Sequence, residues 1–179
     1  MKLDEALNTI TTGTGQTISQ LSLVRPQLVV FLRHTGCTFC RQTLADLAKE
    51  RDQLEHQNIG LVLVHQSDQA EGAHWFAQYG LAHAEQISDP ETKLYKAFEL
   101  GRASLTDIFR PSVWWNGFRA AILQGHWFGK IVGDVFQLPG VFLIDKGKIV
   151  RAYRHQFASD RPNYSQFACP IEHHSAHAP

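Results

Sequence analysis

Residues 27–40 read QLVVFLRHTGCTFC, and this stretch decides the fold. Its first part, residues 27–32, is an apolar run after Pro26, and its length and β-branched content are typical of a buried central strand. From Arg41 onward leucines recur at helical spacing, and this pattern ends near Gly60. Residues 59–64 then predict a second buried strand, so the segment predicts a right-handed βαβ unit with parallel strands.

Further periodic segments follow along the chain. They predict helices over residues 68–79, 90–100 and 159–168, and strands over 84–88, 140–144 and 149–154. Asp145-Lys146-Gly147-Lys148 has the composition of a hairpin turn, so the last two strands should be antiparallel. Together these elements predict one α/β domain over residues 1–179, in which helices flank a mixed central sheet.

Three segments do not belong to this regular pattern. Residues 1–18 begin a polar lead-in, rich in Thr, Ser and Gly up to residue 26, which we expect to be loosely structured apart from a short helix at Leu3–Ile10. Residues 101–133 are rich in aromatic side chains and predict a helical insertion, which packs into the core or forms an apolar wall or dimer contact beside the cysteines. Residues 169–179 are a polar, His-rich segment that we expect to be a flexible tail.

Composition and charge exclude several classes of function. Hydrophobic residues make up 44% and charged residues 19%, and 17 basic side chains balance 17 acidic ones. No basic stripe or run of like charge is present, so we do not expect nucleic acid as a partner. No apolar run approaches the length of a membrane span, so we do not expect a membrane either. Acidic residues close to Met1 do not fit a signal peptide, which predicts a cytoplasmic protein whose thiols are kept reduced.

The cysteines carry the strongest functional signal. Cys37 and Cys40 lie at the predicted junction between a buried strand and a helix, where unsatisfied N–H groups and the helix dipole favour an anion. A cysteine at this place is expected to ionise readily, and Arg33, His34 and Arg41 flank the pair and should lower its pKa further. We therefore predict that Cys37 is the nucleophile and that Cys40 resolves the adduct formed on it.

The same cysteine pair is also compatible with two roles that involve no redox chemistry. The cysteines could be small, inert core residues. Alternatively, they could form half of a zinc site, for which Cys169, His173, His174 and His177 could supply the remaining ligands. Cys169 could also act as a resolving thiol in a peroxidase cycle or be an unreactive free cysteine.

The string from Phe31 to Arg41 resembles the signature of peroxiredoxin-like AhpC/TSA proteins, and most of all the branch related to selenoprotein L. The resemblance extends over about residues 19–168 and includes Ser88-Asp89-Pro90 and the strand at 141–144. It implies a thioredoxin-like three-layer fold and an oxidoreductase whose redox group is the Cys37–Cys40 disulfide, with no separate cofactor or metal. The resemblance also implies a thiol or disulfide protein as partner, with glutathione or thioredoxin as candidate electron donors. Some eukaryotic relatives are known to reduce lipid endoperoxides.

Two positions separate the subclasses of this fold. Thioredoxins carry a cis-proline that faces the cysteine pair, and Pro139 matches that pattern, leaving Leu138 able to pair its backbone with a thiol substrate. Peroxiredoxins carry an arginine at the matching place, so Pro139 favours thiol–disulfide exchange over peroxide reduction. Thioredoxins also carry a buried acid six residues before the first cysteine, where this chain has Phe31, so His34 becomes the nearest candidate for proton transfer to Cys40.

These observations lead to a thiol–disulfide oxidoreductase that uses Cys37 and Cys40, supported by Arg33, His34, Arg41 and Pro139. One alternative is a peroxiredoxin-like peroxidase acting on hydrogen peroxide or organic and lipid peroxides, in which one of the pair, with Cys40 as a candidate, attacks the peroxide and the other resolves the product. The other alternative is a non-catalytic metal-binding module. Because related proteins tend to carry helical insertions where residues 101–133 lie, a homodimer is a further expectation.

Overall fold

The computed structural model describes residues 1–33, 37–102, 133–134, 136–156 and 162–169. Its helices are α1 (Leu3–Thr9), α2 (Ile18–Val24), α3 (Thr38–His56), α4 (Gln69–Ala77), α5 (Lys93–Ala97) and α6 (Tyr164–Ala168). Its strands are β1 (Gln27–Phe31), β2 (Gly60–His65), β3 (Glu85–Ser88), β4 (Gly140–Asp145) and β5 (Lys148–Arg154).

The strands form a mixed five-stranded sheet in the order β3-β2-β1-β4-β5. β1 lies in the centre and pairs parallel to β2 and antiparallel to β4. The β1–α3–β2 segment is therefore the predicted βαβ unit, and β4 and β5 form the predicted antiparallel hairpin. Lys146 and Gly147 both have positive φ, at 49° and 73°, which is the backbone twist that a two-residue hairpin turn requires.

Side chains of the central strands alternate between two apolar layers, as the pleat requires. Leu28 and Val30 lie in one layer, which also contains buried residues of α3, α4 and α6. Val29 and Phe31 lie in the other layer, together with buried residues of α1, α2 and α5. The sheet between these helix-bearing layers is the three-layer α/β architecture that the sequence predicts.

The N-terminal segment differs from the expected loose lead-in. The short helix expected at Leu3–Ile10 is confirmed as α1, whereas α2 replaces the expected loose chain. Ala6, Leu7 and Ile18 are fully buried against the sheet. Helices of seven residues are unstable alone, but burying an aliphatic side chain contributes about 1.5–3 kcal/mol. The polar composition conceals this role, because only a few apolar residues per helix face the core.

Helix α3 has the predicted length, whereas α4, α5 and α6 are shorter than the sequence predicts. α5 begins at Lys93 after the Asp89-Pro90 turn, and α6 begins at Tyr164 after its N-cap Asn163. The predicted insertion at 103–132, the start of the last predicted helix at 159–161, and the tail at 170–179 lie outside the described residues. Over the part of the chain that the structure does describe, no helix combines the length and apolar character needed to cross a membrane.

Candidate active site

The two cysteines lie at the junction of β1 and α3. Cys37 is the N-cap of α3 with extended backbone angles, and Cys40 lies in the first turn of the helix. Both side chains are buried, with 4% and 3% of their surface exposed, and both are thiols rather than a disulfide. Both lie in the apolar layer shared by the sheet, α3 and α6. Strand and helix thus hold the pair in a largely water-excluded place.

Arg33 contacts both sulfur atoms. Its backbone N–H donates to Cys40 Sγ at 3.1 Å, and its Nη1 lies 3.7 Å from Cys37 Sγ. The guanidinium is held from behind because its Nε donates to the carbonyl oxygen of Gln137 at 3.0 Å. Arg33 is itself only 8% exposed, so its positive charge acts on the sulfurs with little screening by water.

The pKa values of the two thiols move in opposite directions. The pKa of Cys37 falls from 9.0 to about 6, because a hydrogen bond from the Cys40 side chain stabilises its thiolate. The positive charge of Arg33 and the backbone N–H groups of Cys40 and Phe39 lower it as well, against the opposing effect of burial. Burial raises the pKa of Cys40 well above its usual range, and the neighbouring Cys37 raises it further.

This asymmetry gives each sulfur a distinct chemical property. At neutral pH Cys37 is an activated thiolate, whereas Cys40 keeps its proton and donates a hydrogen bond to it. A thiolate beside a guanidinium attacks an electrophilic sulfur or oxygen atom. A neighbouring thiol can then displace the added group, so the arrangement is chemically capable of dithiol chemistry.

The structure brings together some of the sequence-predicted site residues and not others. Arg33 lies at both sulfurs, as expected, and is the cation that lowers the pKa of Cys37. Arg41 places its charge near Tyr79, whose pKa is raised by burial and lowered in part by this arginine. His34 lies outside the described residues. Cys169 is exposed at the end of α6.

The expectation of a cis-proline at position 139 is wrong. The described residues contain no cis peptide bond, so the Leu138–Pro139 bond is trans. Leu138 is also not available as a substrate-pairing backbone, since its N–H donates to the carbonyl oxygen of Gly101 at 3.0 Å. The ordinary trans preference of an X–Pro bond holds at this position, and the Leu138 N–H is bonded within the protein.

Phe31 has a structural role on the opposite side of the sheet from the cysteines. Its ring lies 5.0 Å from the ring of Tyr95, 4.9 Å from Phe98 and 5.6 Å from Phe142. Aromatic packing therefore fills the place where thioredoxins have a buried acid.

Sequence reasoning missed two residues that support the site. Gln137 supplies the carbonyl that holds Arg33, and its side chain donates to the Gly101 carbonyl oxygen at 3.0 Å. Tyr95 is fully buried, and its hydroxyl donates a hydrogen bond to the carbonyl oxygen of Leu32, the residue before Arg33. Asp89-Pro90 predicts the helix that carries Tyr95, but no pattern in the sequence connects this residue with the cysteines.

The possibility of a metal centre finds no support among the described residues. They contain no group of three or more His, Cys, Asp or Glu side chains placed to hold an ion. The histidines considered as zinc ligands, His173, His174 and His177, lie outside the described ranges.

A sheet of this order with a dithiol at the start of the helix after β1 defines a thioredoxin-fold protein of the peroxiredoxin-like type. A family model described as AhpC/TSA antioxidant enzyme matches residues 46–157, which is more than half of the chain. The chain therefore belongs to the AhpC/TSA antioxidant enzyme family, a family of peroxiredoxin-like oxidoreductases. The matched range begins after the cysteine pair.

Individual relatives agree with this assignment. Peroxiredoxin-like 2A of Mus musculus is 30% identical over 138 residues, which cover 76% of this chain and 61% of the mouse protein. Prostamide/prostaglandin F synthase of Salmo salar is 28% identical over 146 residues, covering 78% of this chain and 71% of that protein. The chain spans about three fifths of the length of the peroxiredoxin-like 2A proteins that it matches.

A solved structure supports the fold independently. Peroxiredoxin Q of Xanthomonas campestris superposes with a TM-score of 0.59 at 15% identity, covering 84% of this chain and 82% of that one. At this identity the likeness concerns the fold alone.

Proposed function

We propose that this protein is a dithiol peroxidase, in which Cys37 reduces a peroxide and Cys40 resolves the product. The observation that carries this proposal is the position of Arg33, whose Nη1 lies 3.7 Å from Cys37 Sγ and whose N–H donates to Cys40 Sγ at 3.1 Å. The pKa values of the two thiols, lowered at Cys37 and raised at Cys40, agree with it. Membership of the AhpC/TSA antioxidant enzyme family supports peroxide as the substrate class.

The cycle balances with these two thiols. The Cys37 thiolate attacks one peroxide oxygen, the O–O bond breaks, and the alkoxide or hydroxide leaving group takes up a proton, giving a sulfenic acid at Cys37 and an alcohol or water. The Cys40 thiol then attacks Cys37 Sγ, forms the Cys37–Cys40 disulfide and releases water. Two electrons and two protons, from one thioredoxin-type dithiol or from two glutathione molecules that leave as a disulfide, return the pair to the dithiol.

Arg33 changes the balance between the two oxidoreductase hypotheses. Proline at position 139 counts against peroxide reduction because peroxiredoxins carry an arginine there. In this protein a guanidinium reaches Cys37 from the preceding strand end, with Nη1 at 3.7 Å from the sulfur. A cation at this distance would stabilise the negative charge that develops as the O–O bond breaks. The trans Pro139 and the occupied Leu138 N–H remove the main argument for a thioredoxin-like substrate site.

Thiol–disulfide exchange is the second candidate function. It is favoured by the Cys-x-x-Cys spacing at a helix N-terminus, since an activated thiolate there is also a nucleophile toward disulfides. In either case we place the protein in the cytoplasm, where reducing conditions would restore the dithiol.

One set of rate measurements tests the proposal. We would measure consumption of hydrogen peroxide and cumene hydroperoxide with thioredoxin and its reductase, and reduction of insulin disulfides in parallel. Wild type should consume peroxide faster than it reduces insulin, and Cys37→Ser should abolish peroxide consumption. Cys40→Ser should retain a single turnover and accumulate a sulfenic acid that dimedone traps at Cys37.

Cys169→Ser is the matched control, because this thiol is exposed and at the far end of α6. It should leave turnover unchanged. Full peroxide turnover in Cys37→Ser would exclude the assignment of the nucleophile, and rapid insulin reduction without peroxide consumption would select the second candidate.

A further inference from the structure

One peptide group links a buried tyrosine to Cys40. The carbonyl oxygen of Leu32 accepts a hydrogen bond from the Tyr95 hydroxyl, and the N–H of the same peptide group, on Arg33, donates to Cys40 Sγ at 3.1 Å. The Tyr95 hydroxyl also lies 3.2 Å from the carbonyl oxygen of Val64, at the adjacent end of β2. Hydroxyl, peptide group and sulfur therefore form a continuous hydrogen-bonded chain from one side of the sheet to the other.

Tyr95 is held rigidly in this position. It is 0% exposed, and its ring packs edge-on against Phe31 at 5.0 Å. Its helix is anchored by the buried carboxylate of Asp89, which accepts hydrogen bonds from the N–H groups of Lys93 at 2.9 Å and Leu94 at 2.7 Å. A hydroxyl fixed in this way loses little further rotational entropy when it bonds to the Leu32 carbonyl.

We propose that Tyr95 is a positioning residue for Cys40, which acts through the Leu32–Arg33 peptide group to stabilise the Cys40 thiolate during the resolving step. This inference rests on the proposed role of Cys40 as the resolving thiol. Hydrogen bonds in a chain polarise one another, so donation to the Leu32 carbonyl makes the Arg33 N–H a stronger donor to sulfur. The effect matters most when Cys40 carries negative charge, because hydrogen bonds to ionised acceptors are the stronger ones.

The electrostatic surroundings of Cys40 make this support significant. Among the described residues, Cys37 and Arg33 change the pKa of Cys40. The charge of Cys40 in turn raises the pKa values of Tyr79 and Tyr95. Burial opposes ionisation of Cys40 most strongly, and in the reduced protein the Cys37 thiolate adds to this effect. Burial still acts in the resolving step, when Cys37 carries the added group. The Arg33 N–H and the Arg33 charge are the groups that favour ionisation of Cys40, and Tyr95 supports the first of these.

The test follows the resolving step directly with the aromatic disulfide DTNB. Cys37 thiolate attacks DTNB, giving a mixed disulfide and one aryl thiolate. Cys40 then loses its proton to the buffer, attacks Cys37 Sγ, and breaks the mixed disulfide, so that a second aryl thiolate leaves with the electron pair. Stopped-flow absorbance separates the two phases, and all proteins carry Cys169→Ser so that the exposed thiol does not contribute.

Tyr95→Phe removes only the hydroxyl. We expect the first phase to be unchanged and the second phase to slow by about twofold to fivefold, since cooperative polarisation is worth a fraction of one charge-assisted hydrogen bond. The pH profile of the second phase should move to higher pH. Tyr164→Phe is the matched control, as it removes another buried tyrosine hydroxyl, one that contacts Thr43 Oγ1 at 3.2 Å, and should change neither phase.

A variant with the opposite sign protects the test against a folding defect. Site-specific 3-fluorotyrosine at position 95 keeps the shape of the side chain but makes its hydroxyl more acidic, so the second phase should become faster. Biphasic release in wild type with identical second phases in all Tyr95 variants would overturn the role of Tyr95 and leave the proposed function intact. Release of a single aryl thiolate by wild type would overturn both, because Cys40 would then resolve nothing.

Discussion

Replacing Arg33 by glutamine should raise the pKa of Cys37 and reduce its reactivity at neutral pH. With a pKa of about 6, roughly nine tenths of Cys37 is thiolate at pH near 7. Loss of a cation 3.7 Å from the sulfur should raise the pKa by about one to two units, which leaves between about half and a tenth as thiolate. Because only the thiolate is alkylated, the rate of Cys37 alkylation at neutral pH should fall by about twofold to tenfold.

The assay is site-resolved alkylation with iodoacetamide over a range of pH, in which mass spectrometry separates Cys37 from Cys40. Arg41→Gln is the matched control, because it removes the other arginine that flanks the pair in sequence. It should leave the alkylation midpoint unchanged, since the cation that lowers the pKa of Cys37 is Arg33. Cys40→Ala should also raise the midpoint, because it removes the side-chain hydrogen bond that lowers the pKa of Cys37 the most. An unchanged alkylation midpoint in Arg33→Gln would refute the electrostatic account, as would a wild-type midpoint near the ordinary value of 9.0.

Three further predictions concern stability and are each checked by urea unfolding. Burial lowers the pKa of His65 from 6.5 to about 4, so the unfolded chain takes up the proton at a higher pH than the folded protein does. The free energy of unfolding should therefore fall by about 3 kcal/mol as the pH falls from 6.5 to about 4, and His65→Leu should flatten this dependence. Asp89→Ala should cost about 2–3 kcal/mol, because a carboxylate that is 5% exposed holds the first turn of α5, and equal unfolding midpoints for variant and wild type would contradict this. Gly72→Ala should cost about 1–3 kcal/mol, since the new Cβ would clash with Cε1 of buried His65; an unaltered midpoint would show that the ring moves away freely.

Local patterns in the chain are sufficient to predict the frame of the fold. Apolar runs at 27–32 and 59–64, separated by a helical repeat, predict the parallel pair β1 and β2, and the Asp145–Lys148 turn predicts the hairpin. They succeed because side-chain periodicity and turn residues act over a few positions along the chain. The same reasoning places Cys37 at the start of a helix, where the structure has it.

The N-terminal segment shows where local patterns are insufficient, since they predict a short helix at Leu3–Ile10 but neither α2 nor the burial of both helices. Residues 1–26 are polar in composition, and yet α1 and α2 bury Ala6, Leu7 and Ile18. Helices this short are stabilised by what they pack against, and a sequence window does not contain that surface.

The chemistry of the site depends on contacts between distant parts of the chain. The sequence predicts Arg33 near the cysteines, but its anchor is a carbonyl 104 positions away at Gln137, and the Leu32 carbonyl meets a tyrosine 63 positions away. Pro139 shows the same limit, since the Leu138 N–H expected to face a substrate pairs with Gly101 instead. The order of residues along the chain is sufficient to locate the two cysteines at the start of a helix. Backbone groups find distant partners only when the chain is packed, so the tertiary structure determines which charge and which hydrogen bonds act on each sulfur.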